Sequence, residues 1–569
     1  MSLQFITGNS GNGKTKYLFN RIVKEAKANP RDNYLVIVPE QFTMQTQRQL
    51  VDLSENKAIM NIDVLSFKRL AYRVFDELGI TNLTVLEETG KNLVLRKLAA
   101  QEADKLGVIG RNLNRIGYIS EVKSLLSELV QYNISPEELG RYIASGRLSD
   151  ALSDKLKDVL VLYEAFEKFM QDKYITAEEI LNVLCNVAEE SAILRNSVIA
   201  FDEFTGFTPI QNQLIKKLFV ISKKIYVTLT IDCREDIFKS RGMQELFDMP
   251  KRTVKSLTEM AAFYGIEVEE PIILDKNYRL AENEELSFME QQFFRKRRCS
   301  FKKVPKHIHI DCLRDPKQEL TKIARRINEL VRNENLRYRD IAIVTGDVNI
   351  YAGYVREIFD KYNIPYFIDA TQEILFHPFI EFIRSIPDIA AQNFSADAVF
   401  RFLRCGFSEL LDSEIDVLEN YVLACGVRGK SAWDKKWVRL PKHKAGYDIE
   451  LLNQSREYIM ELLKPVYQVF SDKKSTVKDY VLAIYKLIVL LDIPDKLAKK
   501  EQALLDAGDQ TASKEYGQIY KIVMQLFEKY VAVLGDECMD AEEFTQILDA
   551  GLDAADVAVI PPGYDTVTI

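Results

Sequence analysis

The sequence predicts an α/β fold, and three observations carry that prediction. A short apolar run, "SLQFIT", leads into the glycine-rich "GNSGNGKT", and the helix-patterned "KTKYLFNRIVKEAKAN" follows directly. Further strand-like runs, "NYLVIVPE", "AIMNIDVLSF", "SVIAFDEF" and "KKIYVTLTID", alternate with helical stretches. One of them, "SVIAFDEF", ends in two adjacent acids, Asp202 and Glu203. Strands that alternate with helices build a parallel sheet covered on its faces.

Each element has its own reason. In the first helix Tyr17, Leu18, Ile22, Val23 and Ala26 recur at the spacing of one helical face. Before it, Gly8, Gly13, Lys14 and Thr15 satisfy the pattern G-x-x-x-x-G-K-S/T. Glycines let the backbone turn so that successive N–H groups point at phosphate oxygens. The lysine adds a compact charge for the outer phosphates, and the threonine hydroxyl suits magnesium. Strand, loop, helix is the order that aims a helix amino terminus at an anion. The whole loop, Gly8, Asn9, Ser10, Gly11, Asn12, Gly13, Lys14 and Thr15, is therefore a candidate phosphate cradle. A buried strand delivers Asp202 and Glu203 at its carboxyl end, where a nucleotide motor holds magnesium with the first acid and activates water with the second. Alone that pair is a weak signal; beside the loop it is stronger. Residues 85–195 follow a helical pattern almost throughout ("KNLVLRKLAAQEADKLG", "ISEVKSLLSELVQY", "LKDVLVLYEAFEKFM") and read as an insertion into the α/β core.

Bulk composition sets limits. At 569 residues the chain has room for three or four domains, taking roughly 150 residues for each. Its 47% hydrophobic and 28% charged residues are ordinary for a globular protein. Seventy-six basic against eighty-four acidic residues leave a net charge of −8, which excludes an overall polycation but leaves room for a local basic groove. No apolar run approaches the roughly 18 residues that span a bilayer, and no secretion signal opens the chain. Seven scattered cysteines without a C-x-x-C pair read as reduced thiols of a cytosolic protein. His307 and His309 alternate as strand residues would, which leaves a two-histidine metal site open there; no metal-ligand cluster is visible.

Read in order, these stretches resemble the motifs of superfamily-one helicases of the UvrD type. "VPEQFTMQTQRQL" and "VLSFKRLAYRV" stand where such helicases contact single-stranded DNA, and "FDEFTGFTPIQNQL" resembles their "DEFQDTN–Q" segment. "IDCREDIFKSRG" stands in place of "GD–DQSIY–RG", and "ILDKNYRL" matches "L–NYRS". "VPEQFT", "FTGFTP", "IPYFID–HPFIEFI" and "LENYVLACGVRG–W" together are similar to the AddB (RexB) family, the B subunits of bacterial AddAB helicase–nucleases, along essentially the whole chain.

The resemblance implies two RecA-like P-loop motor domains, each with a helical inserted domain, the second motor domain incomplete. The expected division is 1–84 and 196–285 for the first motor domain around the insertion at 85–195. The second motor domain is expected at 286–390, with strands "HIHIDCL", "DIAIVTG" and "IPYFID", an insertion at 391–550, and resumption at 551–569. It implies ATP at Gly8–Thr15, Mg2+ on Thr15 and Asp202, water activation by Glu203, and charge stabilisation by Arg279, for which a surface arginine in a turn is the plainer alternative. Thr43, Gln47, Ser66, Phe67 and Tyr278 become candidate DNA contacts, although Phe67, spaced with Leu70 and Val74, also reads as core. The basic run Arg295–Lys303 is either a DNA patch or a solvated linker. Trp433 and Trp437 read as packing anchors. Three departures point to ATP binding with slow or absent turnover: no upstream adenine-reading glutamine, the glutamine of "GD–DQ" replaced within Asp232–Asp236, and no final helicase motif. The family further implies an AddA-type partner in a heterodimer, single- and double-stranded DNA, help in recognising Chi, no membrane, and the bacterial cytoplasm. Its nuclease, with a 4Fe–4S cluster, is expected beyond Ile569.

Overall fold

The computed structural model describes residues 1–80, 85–86, 88–107, 118–145, 148–170, 174–176, 178–295, 299–368, 372–373, 376–440, 447–553, 556–557 and 565–569. Contacts group the chain into two compact units: Met1–Leu86 with Ser124–Leu148 and Glu167–Asp311, and Glu87–Lys123 with Ser149–Phe166 and Cys312–Ile569.

The first unit is built on a parallel sheet. Its strands are β1 (Ser2–Gly8), β2 (Tyr34–Ile37), β3 (Ile62–Leu65), β4 (Val198–Phe201), β5 (Lys224–Thr230), β6 (Glu267–Val268) and β7 (Ile272–Leu274). The order is β3–β2–β4–β5–β1–β6, with β7 also paired to β1, and every pair is parallel. Five of these strands are the apolar runs read from the sequence; β6 and β7 carry too few apolar residues to announce themselves. Side chains alternate across the sheet. Leu3, Phe5, Leu35, Ile37, Ile199, Phe201, Ile225 and Val227 share one core. Ile6, Tyr34, Val36, Val198, Ala200 and Tyr226 share the other, against Leu18, Phe19 and Ile22 of helix α1 (Lys14–Ala28). Both faces of the central strands are covered, which is why they read as mainly apolar runs rather than as strict alternations.

Helix starts follow their capping chemistry. Ser66 caps α2 (Phe67–Leu78), accepting from the Arg69 N–H at 3.3 Å. Thr208 and Gln211 form a reciprocal capping box on α3 (Pro209–Ile221), with proline in its first turn. In register, Gly8 at the end of β1 lies opposite Thr230 and Leu274, and Phe201 at the end of β4 lies opposite Ile37. The phosphate-type loop and the Asp202–Glu203 pair thus leave the same edge of the sheet.

The second unit is mainly helical. Phe379, Phe382, Trp433, Tyr480 and Tyr530 belong to its large core. Trp433 and Trp437 pack edge to face at 5.3 Å, and the buried Arg456 guanidinium donates to the Trp433 carbonyl at 2.9 Å and to Asn453 Oδ1 at 3.2 Å. Both tryptophans are packing anchors, as their setting in the sequence suggests. A smaller core joins Leu320, Ala324, Val355, Phe359 and Val567. There Tyr366–Phe367 pairs in parallel with Val567–Thr568, and Ala342 bridges Thr568. The strand expected over 307–313 is absent, and Ile310 is 93% exposed. Its apolar alternation is real, but no described residue offers it a ladder, and an unpaired extended segment is not a strand.

His377 gives this unit a pH dependence. Its Nδ1 accepts from the Phe379 N–H at 3.1 Å, capping the helix Pro378–Ala391, and its ring lies 4.4 Å from that of Tyr516. Burial pushes its pKa down to about 4. An unfolded histidine takes a proton near 6.5, so between that pH and about 4 the unfolded chain binds more protons and stability falls with pH. His377→Asn, which keeps a cap acceptor, is expected to lose less thermal stability than the parent between pH 7 and pH 5. Equal losses in melting experiments would dismiss this role.

Among the described residues no helix is long and apolar enough to cross a membrane, and no group of three metal-ligating side chains occurs. His307 is taken up by Glu285, its Nδ1 3.3 Å from Oε1, and His309 is exposed.

Candidate nucleotide site

The loop after β1 needs its glycines for two different reasons. A Cβ on Gly8 would lie 2.6 Å from the Leu274 carbonyl oxygen, so close approach of β7 demands glycine. Gly11 and Gly13 have φ of +87° and +79°, the left-handed region, and Gly13 is the N-cap of α1. The space a Gly11 side chain would fill holds Asn277 and Arg279, 2.8 and 2.9 Å from its ideal Cβ. That segment is fastened to the loop: Tyr278 N donates to the Gly11 carbonyl at 2.9 Å, and Asn277 Nδ2 to the Ser10 carbonyl at 2.9 Å.

The charged groups converge on one cleft of about 740 Å³, lined by Ser10, Lys14, Thr15, Asp202, Glu203 and Arg279 among others. The Lys14 ammonium donates to the carbonyls of Gly8 (3.1 Å) and Asn9 (3.0 Å). Burial lowers its pKa, opposed by Glu203 and Asp202, so it is a desolvated cation that gains from an anion. Asp202 is 1% exposed. Its Oδ1 accepts from the Thr228 hydroxyl, while the buried Oδ2 has no hydrogen-bond partner. Burial raises its pKa. Glu203 sits at φ +64°, a left-handed backbone costly for a side-chain-bearing residue, and accepts from the Thr15 hydroxyl at 3.3 Å. Such outliers cluster at functional sites. An orphaned buried carboxylate oxygen beside a threonine hydroxyl, a desolvated lysine and two left-handed glycines fit a magnesium–nucleotide: Thr15 and Asp202 would hold the metal, and Gly8–Thr15 the phosphates.

Of the candidate DNA contacts, Thr43 and Ser66 meet at Glu40, with Gln47 one turn along the Thr43–Leu53 helix and Phe67 next to Ser66. The Thr43 hydroxyl is buried and donates to the Glu40 carbonyl at 2.9 Å. Ser66 is spent on its cap and on the Glu40 carboxylate. Phe67 is buried against Phe201 and Phe204, with ring centroids 5.8 and 5.5 Å away, so it is a core residue and not a free stacking platform. Gln47 is exposed. Tyr278, 66% exposed, lies over the loop, its ring 3.5 Å from where a Gly13 Cβ would stand. Arg295 does not belong to a free basic patch. Its side chain is 12% exposed, its Nε donates to Asp232 at 2.9 Å, and its guanidinium lies 4.7 Å from the Phe247 ring centroid. Lys296, Arg297 and Arg298 lie outside the described residues.

Sequence reasoning missed the groups that brace the loop. Asn9 Oδ1 accepts from the Cys233 N–H at 2.9 Å, and its Nδ2 donates to Glu290 at 2.8 Å. Within the run Asp232–Asp236, the buried Asp232 is gripped by Arg234 and Arg295, and the half-buried Glu235 pairs with the buried Lys251 at 2.7 Å, while Arg234 and Asp236 are exposed. A polar threonine inside the apolar strand "IYVTLTI" was the one readable signal for Thr228.

Fold and cleft define the class: an α/β chain with a glycine-rich phosphate-type loop and paired acids at the carboxyl edge of a parallel sheet. A family model described as "ADDB, N-terminal" matches residues 5–290. Proteins named as the B subunit of an ATP-dependent helicase/deoxyribonuclease match the entire chain. Those of Lachnoclostridium phytofermentans, Caldanaerobacter subterraneus subsp. tengcongensis and Clostridium novyi are 38%, 32% and 30% identical, each with 50% of its own length covered. The chain belongs to the AddB family. It spans about half the length of the curated relatives it matches.

Proposed function

We propose that this chain is the ATP-binding and DNA-binding part of an AddB-type protein, working with an AddA-type helicase–nuclease partner on DNA ends in the bacterial cytoplasm. In this reading the chain comprises two RecA-like motor domains with helical insertions. It grips single- and double-stranded DNA, helps to recognise Chi, and precedes a nuclease carrying a 4Fe–4S cluster. The observation that supports it most is the meeting of Ser10, Gly11, Gly13, Lys14 and Thr15 of the loop with Asp202, Glu203 and Arg279 around one cleft.

Each residue then has a task. The loop amides and the Lys14 ammonium bind the triphosphate, and the tether from Asn277 and Tyr278 to Ser10 and Gly11 keeps Arg279 beside it. Thr15 and Asp202 hold magnesium, which neutralises phosphate charge when bound. Glu203 orients a water molecule or takes its proton. Turnover is slow, because the segment that carries a glutamine in active helicases here has Asp232 and Glu235 committed to internal ion pairs.

The test is ATP binding by calorimetry together with phosphate release in the presence of DNA. Binding with little release is expected, and Glu203→Gln is expected to leave binding within about twofold. Vigorous release abolished by Glu203→Gln, with strand displacement by the isolated chain, would instead make it an active motor. A nucleotide that only stiffens an interface with the AddA-type partner would leave DNA affinity unchanged, because linked sites must alter each other reciprocally.

A further inference from the structure

Thr228 is buried within β5, among Tyr226, Val227 and Leu229. Threonine and valine have nearly the same shape, so packing alone gives no reason for a hydroxyl there, and burying one is unfavourable unless it is bonded. The hydroxyl donates to Asp202 Oδ1 from the adjoining strand's end. The other oxygen, Oδ2, is buried and makes no hydrogen bond of normal geometry, the Thr15 hydroxyl stands near the carboxylate, and both residues line the cleft that contains Lys14 and Thr15. The two oxygens of one carboxylate are thereby made unequal. One is engaged and fixes the rotamer; the other is left open to a ligand.

We propose that Thr228 is a positioning residue for a divalent cation: by engaging Oδ1 it presents Asp202 as a ligand through Oδ2 alone. This rests on the magnesium–nucleotide reading above. Partners that orient a metal ligand typically change metal affinity by about 10- to 100-fold when removed.

The experiment measures ATP binding by calorimetry across a magnesium series and in EDTA, for the parent, Thr228→Val and Thr228→Ser. The valine variant is expected to need about tenfold more magnesium for half-maximal binding, with its weak binding in EDTA unchanged; serine is expected to restore the parent midpoint. Thr228→Ala, with its melting temperature recorded, serves as a second donor-free variant should valine fold poorly. An unchanged magnesium midpoint in both donor-free variants overturns the proposal. So does an equal loss in EDTA, which would mark a packing role. If the parent binds no ATP at any magnesium concentration, the nucleotide reading itself fails, and the assignment of Thr228 falls with it.

Discussion

Lys14→Ala is expected to weaken magnesium–ATP binding by at least about a hundredfold. An ammonium contact to phosphate is a charge-assisted bond worth about 1.5–3 kcal/mol, and each 1.4 kcal/mol is about tenfold in affinity. Here the cation is already partly desolvated, so the larger figure applies. The free protein should tolerate the change. Among the described residues Lys14 bonds to the carbonyls of Gly8 and Asn9, and removing a half-buried cation offsets the loss of those two contacts. A melting temperature close to that of the parent, with calorimetric heat lost, is the expected pair of results. Lys14→Arg should not rescue binding, because a planar guanidinium cannot occupy a compact ammonium's place between two loop carbonyls. An alanine variant that binds ATP as tightly as the parent would remove the loop from the site altogether.

How much of this was legible depended on whether chemistry lay along the chain or across it. Five strands of the parallel sheet were readable as compact, mainly apolar runs, buried on both faces except for the edge strand β3, where only Ile62 is buried. The loop was readable because its glycines, lysine and threonine stand at fixed short spacings. Phe67 was ambiguous in sequence, since an aromatic residue at helical spacing serves a core as well as a surface; its ring partners Phe201 and Phe204 come from more than a hundred residues away. The segment 307–313 was misread because alternation describes a strand's faces and not its neighbours, and pairing is what creates a strand. Arg295 was misread for a related reason. A run of basic residues looks solvated or anion-binding until a buried acid distant in sequence is found to face one of them. Nothing local to Asn9 or Asp232 announces that Glu290 and Arg295 will meet them.

That hidden connection carries the second large effect. Asp232→Ala is expected to destabilise the first unit by about 3–5 kcal/mol, the usual consequence of deleting one member of a buried ion pair. Asp232 is 1% exposed and holds two arginines: Arg234 through Nε (2.8 Å) and Nη2 (2.6 Å), and Arg295 through Nε (2.9 Å). Alanine would strand the Arg295 guanidinium over Phe247, with Glu290 at 3.9 Å the one acid left among the described residues to answer its charge. Arg234 is half exposed and can turn to water, so its share of the loss is small. A double-mutant cycle with Arg295→Met should therefore return a large coupling, and one with Arg234→Met a small one. The pH dependence is also fixed in sign. Burial favours the neutral acid, but the Arg234 side chain and N–H and the Arg295 guanidinium outweigh it and hold Asp232 well below the usual carboxylate range. Its contribution is then complete above the unfolded value of about 3.9 and is lost only as pH falls below that. The gap between parent and Asp232→Ala melting temperatures should be constant from pH 7 to pH 5 and narrow in stronger acid. A gap that already shrinks at pH 5 would mean that the carboxylate is not held by its arginines. Glu290 also takes the Asn9 side-chain amide, and the Cys233 N–H reaches Asn9 from the other side. Loss of Asp232 should therefore loosen the phosphate-type loop itself, and faster hydrogen exchange at the Cys233 amide, which donates to Asn9, would report it.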